Sequence, residues 1–468
     1  MAGALAAKLA IARAVATLAR LRGGGATSVP GKVLLGLDGK AIAALGSRLP
    51  AGSVLVSATN GKTTTTAMAA GILEGAGVAL VHNAAGANMA SGIATALLTA
   101  TRPRGAITGE LGLFEVDELW LDAVAAQLRP RAILLGNLFR DQLDRYGELE
   151  TVAERWANHV AAERLVLNAD DPLIADLGRD RVGALYYGVD DDSLALGGMA
   201  HAADAKHCRR CGAPYVFETI YLGHLGHYHC PSCGQRRPAP TVTASDVALH
   251  GVRSASFVLQ TPVGRAPVRL ALPGLYNVYN ALGAAALASA LEIPLAQIVA
   301  GLEGTRAAFG RAETVMLLPA REGASDAAAA AARELRILLV KNPAGANEVL
   351  RTLALEPGEH DVLGVLNDKI ADGRDVSWIW DADFELLARR IRSFTCSGSR
   401  AAELAVRMKY AGVEPARIRV QTDLRAALDA AAADRHDSAP LYALPTYTAM
   451  LSLRELLVAR GEVSSSWS

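Results

Sequence analysis

The stretch Val54-Leu55-Val56-Ser57-Ala58-Thr59-Asn60-Gly61-Lys62-Thr63-Thr64 joins an aliphatic run to a small-residue turn and then to a cation and hydroxyls. This is the layout of a phosphate-binding loop. Backbone N–H groups and a helix N-terminus face the phosphates, the lysine adds a point charge, and a threonine hydroxyl binds Mg²⁺. The usual pattern carries a glycine five residues before Gly61, and Val56 stands there. Context therefore carries the assignment: a strand is expected before the turn, at residues 53–57, and a helix after it, at residues 67–73.

A second constellation is Cys208-x2-Cys211 followed, after 18 intervening residues, by Cys230-x2-Cys233. Two turn-borne pairs of soft ligands satisfy tetrahedral Zn²⁺ without a large fold, and four thiolates leave no open coordination position for catalysis. His207, His224, His227 and His229 are expected to be solvated or to support the ligands from outside the metal's coordination shell. A third group, within Glu110-Leu111-Gly112-Leu113-Phe114-Glu115-Val116-Asp117-Glu118, offers carboxylates for Mg²⁺ just beyond a strand expected at residues 105–110. Cys396 is the one cysteine outside the pairs; with no histidine nearby, it reads as a buried structural thiol.

Strands are also expected at residues 131–137 and 164–168, alternating with helical stretches. Such alternation implies a parallel sheet covered on both faces, with ligands at the carboxyl ends of its strands. The cysteine-rich segment, residues 201–240, has little capacity for an apolar core and reads as a metal-stabilised insertion. A long alanine-rich helix follows at residues 278–291, then an alanine run at residues 322–334 that reads as a surface excursion. Beyond it, strands at residues 335–340, 361–366 and 393–396 alternate with helices at 347–355, 384–392 and 401–410. The whole is an α/β protein: an N-terminal lead-in (residues 1–50), a central phosphate-loop α/β domain with a four-cysteine zinc-ribbon insertion (51–313), and a C-terminal Rossmann-like α/β domain (314–468).

The 47 basic and 47 acidic side chains cancel, so no net field recruits nucleic acid, and a nucleic-acid role for the zinc ribbon is disfavoured. No uncharged apolar run reaches the length of a membrane span. Residues 1–21 read as an amphipathic helix, packed on protein or laid on a membrane surface as a peripheral contact. Lys8 and Arg13 interrupt any signal-peptide core, and cysteine usage suits a reducing, cytoplasmic compartment.

Five motifs occur in an order that resembles the Mur ligase family: Ala58-Thr59-Asn60-Gly61-Lys62-Thr63, Phe114-Glu115-Val116-Asp117-Glu118, Asn137-Leu138-Phe139-Arg140-Asp141-Gln142-Leu143-Asp144, Leu272-Pro273-Gly274-Leu275-Tyr276-Asn277-Val278-Tyr279-Asn280 and Phe309-Gly310-Arg311-Ala312-Glu313. The resemblance implies use of ATP and Mg²⁺ to convert a carboxylate into an acyl phosphate that an amine attacks. It implies that Thr59, Asn60, Gly61, Lys62, Thr63 and Thr64 hold the nucleotide's phosphates. Lys62 would contact the β and γ phosphates, Thr63 and Glu115 would bind Mg²⁺, Asn277 would meet the adenine, and Arg311 would face the nucleotide side of the interdomain cleft. Gln142 departs from the histidine that amino-acid-adding members place there as a ligand of a second metal.

That departure, the four-cysteine insertion and the C-terminal text resemble the MurT-type branch, whose members work beside a GatD-like glutamine amidotransferase on lipid II at the inner face of the cell membrane. For Asp375 the residues alone suggest a turn or helix cap. The resemblance implies instead that Asp375 completes the partner's Cys-His glutaminase triad, with Asp381 the less favoured candidate. Trp378 and Trp380, beside a run of acids, suit an interface. The expected reaction is amidation of the D-glutamate α-carboxylate of lipid II; the alternative is a stand-alone amino-acid ligase of the Mur or folylpolyglutamate type.

Overall fold

The computed structural model describes residues 2–21, 28–83, 87–102, 105–141, 149–198, 203–306, 311–318, 332–433 and 439–463. Strands β1 (Ser53–Ser57), β2 (Leu80–His82), β3 (Leu111–Glu115), β4 (Ala132–Leu135), β5 (Arg164–Asn168) and β6 (Leu185–Val189) run parallel in the order β6-β5-β4-β1-β3-β2. The chain then leaves this sheet for an antiparallel hairpin, β7 (Val216–Leu222) and β8 (Leu225–His229). It returns as β9 (Val242–His250), parallel to β6, and β10 (Ser254–Thr261) and β11 (Gly264–Leu270) complete the edge in antiparallel fashion. Every residue of β1, β3 and β4 is buried, which is why these strands read as continuous aliphatic runs rather than alternating ones.

One expected strand is displaced. Residues 105–110 hold Gly105 and Gly109 in left-handed conformations (φ 88° and 121°), and the strand is Leu111–Glu115. Glycine at positive φ breaks the pleat. The consequence is functional, because Glu115 now stands at the carboxyl end of a strand, beside Val56 of β1.

Helices Lys62–Gly75 and Leu275–Ala290 pack together on one face of the sheet. Alanines line the second helix along nearly its whole length, and their small side chains let it lie close to β4, β5 and β6. The opposite face is covered by helices including Ala90–Ala100, Leu121–Leu128 and Leu149–His159, whose Trp156 is fully buried. The N-terminal helix Ala2–Leu21 lies on the helix Val29–Leu37, burying Leu9 and Ala12 and pairing Lys8 Nζ with Asp38 at 3.0 Å. Ile11 and Leu18 remain exposed.

A second sheet holds β12 (Arg311–Leu317), β13 (Arg333–Leu338), β14 (His360–Val365), β15 (Ile391–Ser397), β16 (Ile418–Val420) and β17 (Leu441–Pro445). Its order is β12-β13-β17-β14-β15-β16, all parallel except β12. Strand β12 straddles the limit expected at residue 313 and belongs to this sheet. The helix expected at residues 384–392 is one turn, Glu385–Ala388. Arg390 N–H then closes a turn on Leu387 O, and Ile391 starts β15 beside His360; sheet pairing overrides the local preference. Residues 401–410 form the helix Ala401–Tyr410 as expected.

Candidate active site

Three strand ends build the crest of the larger sheet: β1 leads into Ala58-Thr59-Asn60-Gly61, β3 ends at Glu115, and β4 leads into Asn137. Asn137 fixes the loop at three points. Its carbonyl accepts from Thr59 N–H (2.9 Å), its Oδ1 accepts from Asn60 N–H (2.9 Å), and its Nδ2 donates to Asn60 O (3.0 Å). Gly61 adopts φ 84°, and a Cβ there would lie 2.0 Å from Asn280 Oδ1. Only glycine lets the turn meet the alanine-rich helix so closely.

Lys62 opens its helix buried, with Nζ 2.8 Å from Glu118 Oε2, itself buried. Burial works against the charge, but the Glu118 carboxylate, with Glu115 and Asp117 behind it, outweighs burial and holds Lys62 above the usual lysine range. One carboxylate contacts the ammonium, and two more act on it from farther away. A divalent cation beside Thr63 and Glu115 suits this acidic setting, and the donor set is oxygen only. Glu115 is oriented by Asn88 Nδ2 on Oε1 (3.1 Å), while Asn83 clamps its backbone N–H and C=O. Thr63 is half-buried, and Thr64 is buried and lines the neighbouring cavity.

That cavity, about 980 Å³ including its mouth, lies between the two sheets. Asn60, Gly61, Asn277, Tyr279 and Asn280 line it from one side of the cleft, and Leu338, Lys341, Gly345 and Glu348 from the other. Asn277 is buried, donating to Pro273 O (2.7 Å) and accepting from Asn280 Nδ2 (3.1 Å). Arg311 opens β12, but its side chain, like the whole of Gln142, lies outside the described residues. The motifs do not mark Asn137, Asn280 or Lys341 as site residues, and Glu118 enters only as one of several carboxylates offered for Mg²⁺. Lys341 Nζ donates to Thr59 O (3.1 Å) and pairs with Asp141 (2.5 Å). Pairings that span 200 or more residues leave no trace in local spacing.

A smaller recess adjoins, lined by Arg140, Asp141, Lys341, Asp372, Asp375 and Asp381, among others. Asp375 is exposed, and its Oδ1 accepts from Ser377 N–H (2.8 Å), which holds the carboxyl below its ordinary range. Asp381 is engaged by Arg140 (3.4 Å). The Asp375 loop is pinned by buried Asp372, which accepts from Thr448 N–H (2.7 Å) and its hydroxyl. Trp378 is half-buried in the C-terminal core, whereas Trp380 is exposed against Tyr410 (ring centroids 5.8 Å apart).

The four cysteine Sγ atoms of the insertion lie within 4.8 Å of one another, with Cys208–Cys233 and Cys211–Cys230 each 3.5 Å apart and no disulfide formed. Four thiolates about 2.3 Å from a tetrahedral Zn²⁺ would be spaced by about 3.8 Å, so the set fits that ion. Each knuckle closes the same way: Gly212 N–H bonds Cys208 O, Gly234 N–H bonds Cys230 O, and both glycines take φ 75°. His207 is exposed, and His227 and His229 are half-exposed. His224 departs from expectation. It is fully buried, its ring 4.5 Å from Phe139, because the hairpin turn is pressed into the domain rather than held out in solvent. Cys396 is buried as expected, and burial pushes its thiol up to about 12.

Comparison with known proteins agrees with this architecture. Residues 56–288 match the Mur ligase middle domain and residues 339–450 the MurT ligase C-terminal domain. The chain is 33% identical over 443 residues to the lipid II isoglutaminyl synthase (glutamine-hydrolyzing) subunit MurT of Streptococcus pneumoniae, covering 93% of each chain. It is 30% identical over 436 residues to the MurT subunit of Staphylococcus aureus, covering 92% of each. Among solved structures, a pseudomurein peptide ligase type C from Methanothermus fervidus superposes with a TM-score of 0.67 at 23% identity, covering 88% of this chain and 79% of that one. The chain belongs to the MurT family of Mur-type, ATP-dependent ligases.

Proposed function

We propose that the chain activates the α-carboxylate of D-glutamate in the lipid II stem peptide as an acyl phosphate, which ammonia from a GatD-like glutaminase partner converts to D-isoglutamine. The observation that carries this reading is a shared cleft: Asp375 and Lys341 line one recess, and Lys341 is bonded directly to Thr59 of the phosphate loop. Activated carboxylate and incoming ammonia would meet there.

The chemistry follows from the residues. A carboxylate is a poor electrophile, and transfer of the γ-phosphoryl of ATP to its oxygen supplies a leaving group. Backbone N–H groups at Gly61 to Thr64 and the helix N-terminus receive the phosphates, and Lys62 offsets the charge spread over the transferred group. Thr63 and Glu115 would hold Mg²⁺, which when bound polarises the phosphoryl oxygens. Asn277 would read the adenine, and Arg311 would close on the nucleotide from the second sheet. Cys208, Cys211, Cys230 and Cys233 would hold Zn²⁺ as a structural ion.

Asp375 would reach the partner's active site and orient its histidine. Its exposure supports this role, as does the engagement of Asp381 by Arg140. The exposed Trp380–Tyr410 pair supplies an aromatic anchor for the partner. No helix among the described residues is long and apolar enough to cross a membrane. The lipid-anchored substrate would be met at the inner membrane face.

Reconstitution tests the reading. The chain is combined with a candidate glutaminase, lipid II, Mg-ATP and glutamine, and the stem peptide is followed by mass together with phosphate release. A loss of about one mass unit, matched by phosphate, is expected from acid-to-amide conversion; ATP turnover absent and an unchanged peptide would refute it.

A further inference from the structure

The hairpin that carries the second cysteine knuckle ends in the wall of the cavity beside the phosphate loop. Leu222 and Leu225 pair across its turn, and both line that cavity with Tyr279 and Asn277. The turn is seated tightly: Gly223 adopts φ 59°, and a Cβ there would come within 2.7 Å of the Phe139 ring. Gly226 N–H donates to Asp170 O (3.0 Å).

A second arm leaves the cluster on the other side. Four residues after Cys233, Arg237 donates to the buried carboxylate of Asp170 (2.6 Å), whose other oxygen accepts the hydroxyl of Tyr279 (2.7 Å). One chain segment flanking the second knuckle therefore lines the cavity, and the other braces Tyr279 of its wall through Asp170. Aliphatic side chains beside buried carboxamides suit a planar heterocycle with polar edges. The segment's own core is a small cluster around Cys208, Tyr215, Tyr228 and Cys230, so a metal bound there would add to holding its shape.

We propose that the four-cysteine ribbon is a built part of the nucleotide site: the turn bearing Leu222 and Leu225 is the surface on which the purine of ATP lies. Metal in the cluster thereby sets affinity for the base. The inference rests on the reading that ATP phosphates occupy the Gly61–Thr64 loop, and it adds a specificity wall that the loop motif does not contain.

The test is calorimetric titration of the zinc-loaded chain with Mg-ATP and, separately, with inorganic tripolyphosphate, which has phosphates and no base. For Leu225→Ala, affinity for ATP is expected to fall about tenfold, equivalent to about 1.4 kcal/mol, while tripolyphosphate binds as before. Stripping zinc from the wild-type chain with a chelator should reduce the preference for ATP over tripolyphosphate in the same direction, an arm that stands even if Leu225→Ala does not fold. Unchanged ATP affinity in folded Leu225→Ala, or equal losses for both ligands in both arms, overturns the proposal. The double variant Lys62→Met/Glu118→Gln separates the two readings. If it weakens both ligands while Leu225→Ala weakens neither, only the ribbon proposal fails; if it weakens neither, the phosphate-loop reading fails and the ribbon proposal with it.

Discussion

Asn60 and Asn342 exchange hydrogen bonds through their carboxamides across 282 residues of sequence: Asn342 Nδ2 donates to Asn60 Oδ1 at 2.9 Å, and Asn60 Nδ2 donates to Asn342 Oδ1 at 3.3 Å. One residue belongs to the phosphate loop and lines the cavity, the other follows β13 and lines the adjoining recess, so this pair latches the two sheets together. Asn342 also caps the helix Pro343–Ala354, its Oδ1 accepting from Gly345 N–H (2.9 Å).

Latch and cap separate by substitution. Asn342→Asp keeps the cap acceptor but loses the donor to Asn60, whereas Asn342→Ala loses both. Thermal unfolding should show about 1 kcal/mol lost in Asn342→Ala and less in Asn342→Asp. Both should raise the KM for ATP about tenfold, the size of one lost hydrogen bond between polar partners. An unaltered KM in Asn342→Asp would show that the latch does not serve nucleotide binding.

Lys62 and Glu118 form a buried pair, so removing one charge strands the other. Lys62→Met should destabilise the fold by about 3–5 kcal/mol and abolish ATP turnover. Adding Glu118→Gln should restore much of the stability, as read by urea unfolding, without restoring turnover. Recovery of activity in the double variant would mean that Lys62 serves the fold and not the phosphates.

Asp361 is a fully buried carboxylate bonded by Arg333, Arg392 (2.6 Å) and Ser393 (2.8 Å). Burial opposes its charge, but these donors prevail and hold its pKa below the ordinary range. A depressed folded pKa means the unfolded chain protonates first. The stabilisation is therefore fully present above the unfolded value of about 3.9 and is lost as pH falls through the folded one. Asp361→Asn should lose about 3–5 kcal/mol near neutrality, and its urea midpoint should fall less steeply than wild type between about pH 5 and pH 3. Parallel profiles would contradict the assignment.

Thiol accessibility checks the cluster. All five cysteines are reduced in the fold; with zinc bound, a disulfide-exchange reagent at neutral pH should titrate almost none in the native chain. Chelation should release the four cluster thiols, and denaturation should add Cys396, whose thiol is buried and pushed up to about 12. Rapid reaction of Cys211 and Cys233 in the zinc-treated chain would argue that the site does not hold the ion.

Legibility followed the range of the interactions. The phosphate loop, the two cysteine pairs and strands 53–57 and 164–168 were readable because their signals are local: an apolar run, a turn glycine, a ligand spacing. The strand carrying Glu115 starts six residues beyond the expected start, since Gly105 and Gly109 at positive φ interrupt the earlier run. Residues 384–392 depart from the expected helix because pairing of Ile391 with His360 is decided in another strand. Burial of His224 and the bridges Lys341–Asp141 and Asn60–Asn342 depend on tertiary approach alone.

Asp375→Asn, in a complex of this chain with the proposed GatD-like glutaminase, tests the two-protein amidation most directly. The variant keeps the size of the side chain but loses the charge that orients a catalytic histidine. Amidation of lipid II should drop by about 10³-fold or more with glutamine as nitrogen donor, as a mis-set triad does, and persist near the wild-type rate with free ammonia, because the phosphate loop and Glu115 are untouched. Equal loss with both donors would contradict the division of labour proposed here, and full activity with glutamine would remove Asp375 from the mechanism.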